Sequence, residues 1–197
     1  VSNKVFNILI AGVGGQGGLT LSRILAEAAV KTGFSVKTGE TLGMAQRYGS
    51  VVSFVRIGDN TYSPIFGSGE ADVLLGLELT ETVRNTRYLR HHGLIIVADE
   101  YRPPSMASIT GRAPPRGILL AELARYNAVV VPARKIAVEA GNPRALNMVL
   151  LGALNAATNI LPHHVVEDTI RSIIRGDAGE KSVRAYYEGH KWFKNHR

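Results

Sequence analysis

A chain of 197 residues, 45% apolar and 20% charged, is long enough for one folded domain with a sizeable core. Its formal charge is +7 and it has no cysteine, which excludes disulfides, thiolate zinc sites, cysteine nucleophiles and any iron–sulfur cluster ligated by the chain itself. The apolar stretch near its start is too short to span a bilayer and runs into a glycine turn, so no signal peptide is read and a cytoplasmic location is expected.

Val5–Ala11 reads as a buried strand, a short apolar run that stops at a turn. Five glycines follow in the seven residues from Gly12 to Gly18. Leu19–Thr32 carries Leu21, Ile24, Leu25, Ala28 and Ala29 at helical spacing, with Gly33 just past the helix end, where a left-handed glycine is favoured. Residues 34–39 are the expected second strand. Strand, turn, helix and strand make a βαβ unit, hence a parallel sheet with a right-handed crossover.

Residues 50–66 show two extended runs around Gly58-Asp59-Asn60, a β-hairpin signal that adds an antiparallel piece to the sheet. A strand at 71–77, a helix from about Thr80 to Leu89 and a strand at 93–99 come next. Residues 100–117 form a Pro-rich connection whose length suits a functional loop or a partner contact. Helix 118–126, strand 128–133 and helix 134–140 follow. Asn142 and Pro143 suit the N-cap and first position of a further helix, and 163–176 and 180–196 supply two outer helices. The expected fold is α/β: a three-layer Rossmann-like mixed sheet, mostly parallel with an antiparallel hairpin, plus C-terminal helices. It forms a single domain over 1–197 with a helical extension from about residue 162.

Gly12, Gly14 and Gly17 satisfy G-x-G-x-x-G between a strand and a helix. Bare backbone at a helix start lets N–H groups face an anion at close range, which suits a phosphate or cofactor. The same glycines also suit tight strand–helix packing. A nicotinamide site would need an acid closing the second strand to grip a ribose, and Glu40 stands at that distance, although no hydride-transfer partner accompanies it.

A second cluster occupies residues 40–56: Glu40, Gln46, Arg47, Ser50 and Arg56 beside Gly43 and Gly49. A polar loop at the carboxyl end of a sheet is where α/β proteins place ligands, and Arg47 suits a carboxylate or phosphate. His91-His92 and His163-His164 are adjacent pairs, not i, i+4 pairs on one helix face, and read as surface loop residues with no metal. Residues 171–197 hold seven Lys/Arg against three Asp/Glu; without a nucleic-acid motif this reads as a solvated or partner-facing helix.

Three segments combine into a pattern more specific than the glycine turn: "GVGGQGGLTLSRILAEAA", "ETLGMAQRYGSVVSFVR" and "YSPIFGSGEADVLLGLE", with "VPARKIAVEAGNPRALNMVLLGAL" further on. The chain resembles the gamma-type domain of the 2-oxoacid:ferredoxin oxidoreductase family over about Asn7 to Ala153, most narrowly its indolepyruvate (aryl-pyruvate) branch. It departs from the family's usual Q-R-G-G-S at Tyr48, within Gln46-Arg47-Tyr48-Gly49-Ser50. A tyrosine disfavours positive φ and close backbone approach.

The resemblance implies a subunit that is inactive alone. The family oxidatively decarboxylates a 2-oxoacid with coenzyme A, giving acyl-CoA, carbon dioxide and reduced ferredoxin. Thiamine diphosphate, Mg²⁺ and Fe–S clusters are implied to sit on a larger alpha subunit, through which ferredoxin is reached. The absence of cysteine agrees. Gly58-Asp59-Asn60 with Asn85 is the nearest approach to a thiamine diphosphate motif, but one lies in an expected turn and the other in an expected helix. No cofactor, metal or catalytic residue is therefore expected on this chain alone, and no contact with nucleic acid or membrane. The candidate binding residues are Gly12, Gly14, Gly15, Gln16, Gly17, Glu40, Gln46, Arg47, Gly49 and Ser50, lining a cavity for coenzyme A or the acyl intermediate. The alternative is a free-standing Rossmann-type NAD(P)-binding oxidoreductase.

Overall fold

The computed structural model describes residues 5–43, 49–59, 61–103, 107 and 113–197. Six strands form one sheet in the order β2-β3-β1-β4-β5-β6. They are β1 Phe6–Val13, β2 Val36–Leu42, β3 Ser50–Ile57, β4 Ala71–Gly76, β5 Leu89–Ala98 and β6 Asn127–Val131. β1, β4, β5 and β6 are parallel, while β3 runs antiparallel to both β1 and β2. Described helices are α1 Gly18–Lys31, α2 Leu79–Arg84, α3 Arg116–Leu123, α4 Ala133–Glu139, α5 Leu146–Thr158, α6 His163–Ile173 and α7 Asp177–Asn195.

Successive side chains of a strand point to opposite faces, so a sheet covered on both sides needs strands that are apolar throughout. β1 is such a strand. Ile8 and Ile10 join one core with Leu21, Ile24 and Leu25 of α1, Val149 of α5 and Tyr186 of α7. Leu9 and Ala11 join the other with Phe54, Leu79 of α2 and Leu119 and Leu123 of α3. Three layers result, as expected.

The first crossover is where chain order and sheet order part. β2 points the same way as β1, but β3 stands between them. The antiparallel hairpin exists, yet its strands are β2 and β3, on either side of residues 43–49, and not the two runs flanking Gly58-Asp59. A connection this short joins only antiparallel neighbours. Residues 61–66 form no strand. Both edges of β3 are already taken by β1 and β2, and Pro64 lies over β2 at Gly39 instead.

Helix ends show which sequence signals carry weight. At α1, the Gly33 N–H bonds Val30 O and the Phe34 N–H bonds Ala29 O, each at 3.0 Å, with Gly33 at φ +87°. This is the glycine stop expected from sequence. The same motif overturns the Asn142 assignment. The Asn142 N–H bonds Ala137 O at 2.9 Å, closing α4, so Asn142 ends one helix rather than starting the next. Its side-chain oxygen accepts from the Arg144 N–H at 3.1 Å, and α5 begins only at Leu146. The helix expected over 80–89 stops at Arg84, followed by a 3₁₀ turn at Thr86–Tyr88, and β5 begins at Leu89. His91 and His92 are exposed as expected, but within β5 rather than in a loop.

The C-terminal helices pack on the outside, as expected, and bury one face each in the core. α5 is buried from Leu146 through Ala156, and α7 lies against it at backbone contact. A Cβ on Gly152 would sit 1.9 Å from Tyr186 O, and one on Gly189 would sit 2.1 Å from Val149 O. The fully buried Tyr186 hydroxyl accepts from Asn155 Nδ2 and meets His163 Nδ1, both at 2.7 Å. Asn155 also fastens both backbone groups of Leu161, with its amide donating to Leu161 O and its oxygen accepting from the Leu161 N–H. His163 is thus an anchor of α6 on α7, not a free surface residue. Its ring also meets that of His190 edge-on, centroids 4.5 Å apart.

Two expectations follow. Gly152→Ala should force α5 and α7 apart and lower stability by about 3 kcal/mol, measurable by urea unfolding. Burial, helped by His163 and Lys194, holds the His190 pKa below its ordinary 6.5. The folded state therefore resists a proton that the unfolded chain accepts, and stability should decline as pH falls through that ordinary value. Thermal unfolding from about pH 8 to about pH 5 should show the decline, and His190→Gln should flatten its upper part.

Candidate functional site

Parallel β1 and β4 end together, and β3 begins beside them, since Ser50 pairs with Val13 and Gly12 with Val51. The 12–17 turn, Gly43, Gly49 and residues 77–78 therefore meet at one end of the sheet. Gln16 fixes the first of them. Its buried side chain accepts from the Val13 N–H at 2.9 Å and donates to Leu77 O at 3.2 Å. The Gly14 N–H donates to Gly49 O at 2.9 Å, and the Gly43 N–H to Ser50 O at 2.7 Å.

The glycines divide by role. Gly12 leaves room for Gln16 and Leu77, both of which a Cβ would meet at 2.9 Å. Gly17 caps α1 in the left-handed region at φ +80°, and a Cβ there would lie 2.5 Å from Asn147 Nδ2, whose amide donates to Gly17 O. Gly15, at φ +89°, faces open space. Packing thus accounts for Gly12 and Gly17, while Gly15 presents bare backbone outward.

Three hollows surround this turn. The first, about 300 Å³, is lined by Gly12–Gly15, Gly17–Thr20, Val51 and Leu77. No side chain caps α1 and no acid stands in its first turn, so its leading N–H groups are available to an anion. The second, about 490 Å³, runs from Gly15–Gly17 to Arg144, Asn147 and Lys181. The third, about 200 Å³, gathers Arg102, Arg134 and Arg144 around Gly15 and Gln16. Glu100 grips Arg134 in a bidentate pair, 2.6 Å on each arm, fixing its direction and holding its pKa above the ordinary value. Lys181 pairs with Asp177 of the same second hollow at 2.5 Å, so the lining around Gly15 carries both charges, with Arg and Lys outnumbering acid.

Of the residues singled out from sequence, the structure brings together Gly12, Gly14, Gly15, Gln16, Gly17, Gly49 and Ser50. Gln46 and Arg47, like Tyr48, lie outside the described residues. Glu40 lies elsewhere: it sits in β2, its carboxylate 3.5 Å from the Ser22 hydroxyl of α1, and it lines none of the three hollows. With β3 between β1 and β2, an acid on β2 is one strand further from the glycine turn than a nicotinamide ribose requires.

Sequence reading missed Arg102, Arg134, Arg144 and Lys181, which gather only through folding. It also missed Glu78 and Glu81, since a glutamate is not among the usual N-cap residues. Glu78 is fully buried and takes the Thr80 N–H at 2.9 Å and the Glu81 N–H. Burial raises its pKa, opposed by these N–H groups and reinforced by the charge of Glu81. Glu81 is buried too, accepts the Ser50 hydroxyl at 2.6 Å and pairs with Arg84 at 2.9 Å.

The arrangement is suited to binding. Asp59 lies in a bend after β3, and Asn85 caps α2 with its amide on Glu81 O, so neither forms the magnesium grip of a thiamine diphosphate site. Among the described residues no group of three or more His, Cys, Asp or Glu is arranged to hold a metal ion, and no helix is long and apolar enough to cross a membrane.

Known proteins share this architecture. The family described as "Pyruvate ferredoxin/flavodoxin oxidoreductase" matches residues 7–192. The chain is 37% identical to the "Indolepyruvate oxidoreductase subunit IorB" of Pyrococcus horikoshii, over 95% of this chain and 96% of that one. It is 38% identical to the protein of the same name from Archaeoglobus fulgidus, over 93% of each. It also superposes, with a TM-score of 0.76 and 19% identity, on the "2-oxoglutarate:ferredoxin oxidoreductase from Magnetococcus marinus with 2-oxoglutarate, coenzyme A and succinyl-CoA bound", covering 100% of this chain and 32% of that longer one. That last likeness speaks to the fold, and the first three speak to descent. With the glycine turn, the β2–β3 hairpin and the cysteine-free composition in one unit, the chain belongs to the pyruvate ferredoxin/flavodoxin oxidoreductase family.

Proposed function

We propose that the chain is the subunit of an indolepyruvate (aryl-pyruvate) ferredoxin oxidoreductase that carries neither clusters nor thiamine diphosphate, and that it completes the cavity used by coenzyme A or the acyl intermediate. The observation that carries the reading is the meeting at Gly15 of an uncapped helix start with hollows lined by Arg102, Arg134, Arg144 and Lys181. A surface so built attracts a phosphorylated or carboxylated ligand.

The chemistry itself belongs to a partner. A chain with no cysteine offers Fe–S clusters no thiolate ligand, and Asn85, the downstream residue of the nearest approach to a thiamine diphosphate motif, spends its amide on Glu81 O. Those groups, with Mg²⁺, are assigned to a large alpha subunit, which also passes electrons to ferredoxin. The names of the archaeal relatives support the indolepyruvate assignment. The Magnetococcus protein, with coenzyme A bound, supports a place for that co-substrate within the assembly. On this reading the chain's own residues bind and orient. Gln16 keeps the turn open, the α1 N–H groups and arginines hold the anionic end of the ligand, and no residue transfers a proton.

The free-standing NAD(P) alternative is disfavoured by β3, which separates Glu40 from the turn. Calorimetric titration of the purified chain with NADH should show no tight binding.

In the complex purified with its large subunit, Arg144→Ala and Arg47→Ala should each raise the KM for coenzyme A or the oxoacid several-fold, by about 1–2 kcal/mol of lost charge-assisted bonding, with kcat less affected. Normal KM values in a fully assembled complex would remove the assignment. Gly15→Ala should cost only about 1 kcal/mol of stability, from its positive φ, while Gly17→Ala should cost more because Asn147 must also move. If the turn is a binding surface, Gly15→Ala should weaken binding more than its small stability cost implies.

A further inference from the structure

We propose that Glu81 is a positioning residue, whose buried carboxylate acts through Ser50 to hold the start of β3, with Gly49 before it, against the glycine turn. This rests on the binding role assigned to residues 46–50 and adds a side-chain tie to the strand pairing that sets the register.

Glu81 stands in the first turn of α2, where an acid suits the helix dipole, but the ends of the helix are held by other groups. Its start is capped by Glu78, whose carboxylate takes the Thr80 and Glu81 N–H groups, and its end is closed by Asn85, whose amide bonds the Glu81 backbone carbonyl. The Glu81 carboxylate is nevertheless only 5% exposed. Burying it is costly, and the neighbouring Glu78 adds repulsion. One oxygen is compensated by Arg84, whose own side chain is 57% exposed. The other points away from its helix and accepts the Ser50 hydroxyl at 2.6 Å, within the range of a strong charge-assisted bond.

Ser50 is where the loop's contacts converge. Its carbonyl accepts the Gly43 N–H at 2.7 Å, and the carbonyl of the preceding Gly49 accepts the Gly14 N–H at 2.9 Å. The carboxylate–hydroxyl contact thus adds a side-chain tie at the end of the β1–β3 and β2–β3 ladders, where Gly49 meets Gly14 and Gly43 meets Ser50. The sequence carries these partners on three separate segments, which explains why spacing alone did not reveal them.

The test uses the complex with its large subunit and three variants. Glu81→Gln keeps one oxygen for Ser50 while the exposed Arg84 turns to water. Glu81→Leu removes both contacts. Ser50→Ala deletes the hydroxyl alone and carries the test if Glu81→Leu does not assemble. Hydrogen exchange at the Gly14 and Gly43 amides should quicken about tenfold in Glu81→Leu and Ser50→Ala and stay near wild type in Glu81→Gln. The KM for coenzyme A or the oxoacid should rise in the first two and be spared in the third. Wild-type exchange at both amides in Glu81→Leu and Ser50→Ala overturns the proposal, and so does a Glu81→Gln variant that matches Glu81→Leu. Fast exchange with an unchanged KM, while Arg47→Ala raises it, also overturns it. If Arg47→Ala leaves KM unchanged too, the binding role of the loop fails, and the exchange result alone decides whether Glu81 holds it.

Discussion

The side-chain amide of Gln16 bonds two backbone groups that no strand ladder reaches, the Val13 N–H and the Leu77 carbonyl. β1 and β4 are parallel neighbours that both end at this point, and their departing chains leave polar groups that need partners. One primary amide satisfies a donor on one side and an acceptor on the other. The glycine turn is folded around that group: Gly12 is bare so that Gln16 fits, and Gly17 turns left-handed to launch α1 beneath Asn147. What remains, Gly15, has no structural neighbour. The turn is therefore a rigid frame with one outward-facing position, which suits a surface that receives rather than reacts.

The antiparallel β3 decides which ligands the frame can serve. A doubly wound nucleotide fold sets the acid of its second strand next to the glycine turn of its first. Here that place belongs to β3, and its preceding loop, tied through Gly49 to Gly14, becomes the neighbour instead. The glycine pattern is shared with dinucleotide folds while its surroundings are not, so the chemistry must be inferred from what gathers at Gly15. Arg102, Arg134 and Arg144 gather there, with Glu100 aiming one of them, while Lys181 further off pairs with Asp177.

Much of this was legible before folding was considered. β1 is apolar on both faces because it is covered on both faces. The αL glycine at 33 ended α1 where spacing said it would. The strand–glycine turn–helix order and the missing cysteines were local and therefore readable. Signals that depend on competition were not. Gly58-Asp59 looks like a hairpin turn until both edges of β3 are seen to be occupied. Asn142 and Pro143 look like a helix start until the Asn142 N–H is spent on ending the helix before. The basic hollow and the Glu81–Ser50 contact were out of reach for another reason: their members are far apart in sequence, and no period or motif links them.

The backbone contact of α5 with α7 bears on how the molecule comes into being. α5 carries apolar residues all round, and one of its sides is covered only by a helix lying near the far end of the sequence. During synthesis the sheet and its flanking layers emerge first, leaving that side bare until translation has passed residue 189, where the second of the two abutting glycines lies. A nascent polypeptide halted before then displays a greasy stripe to ribosome-associated chaperones.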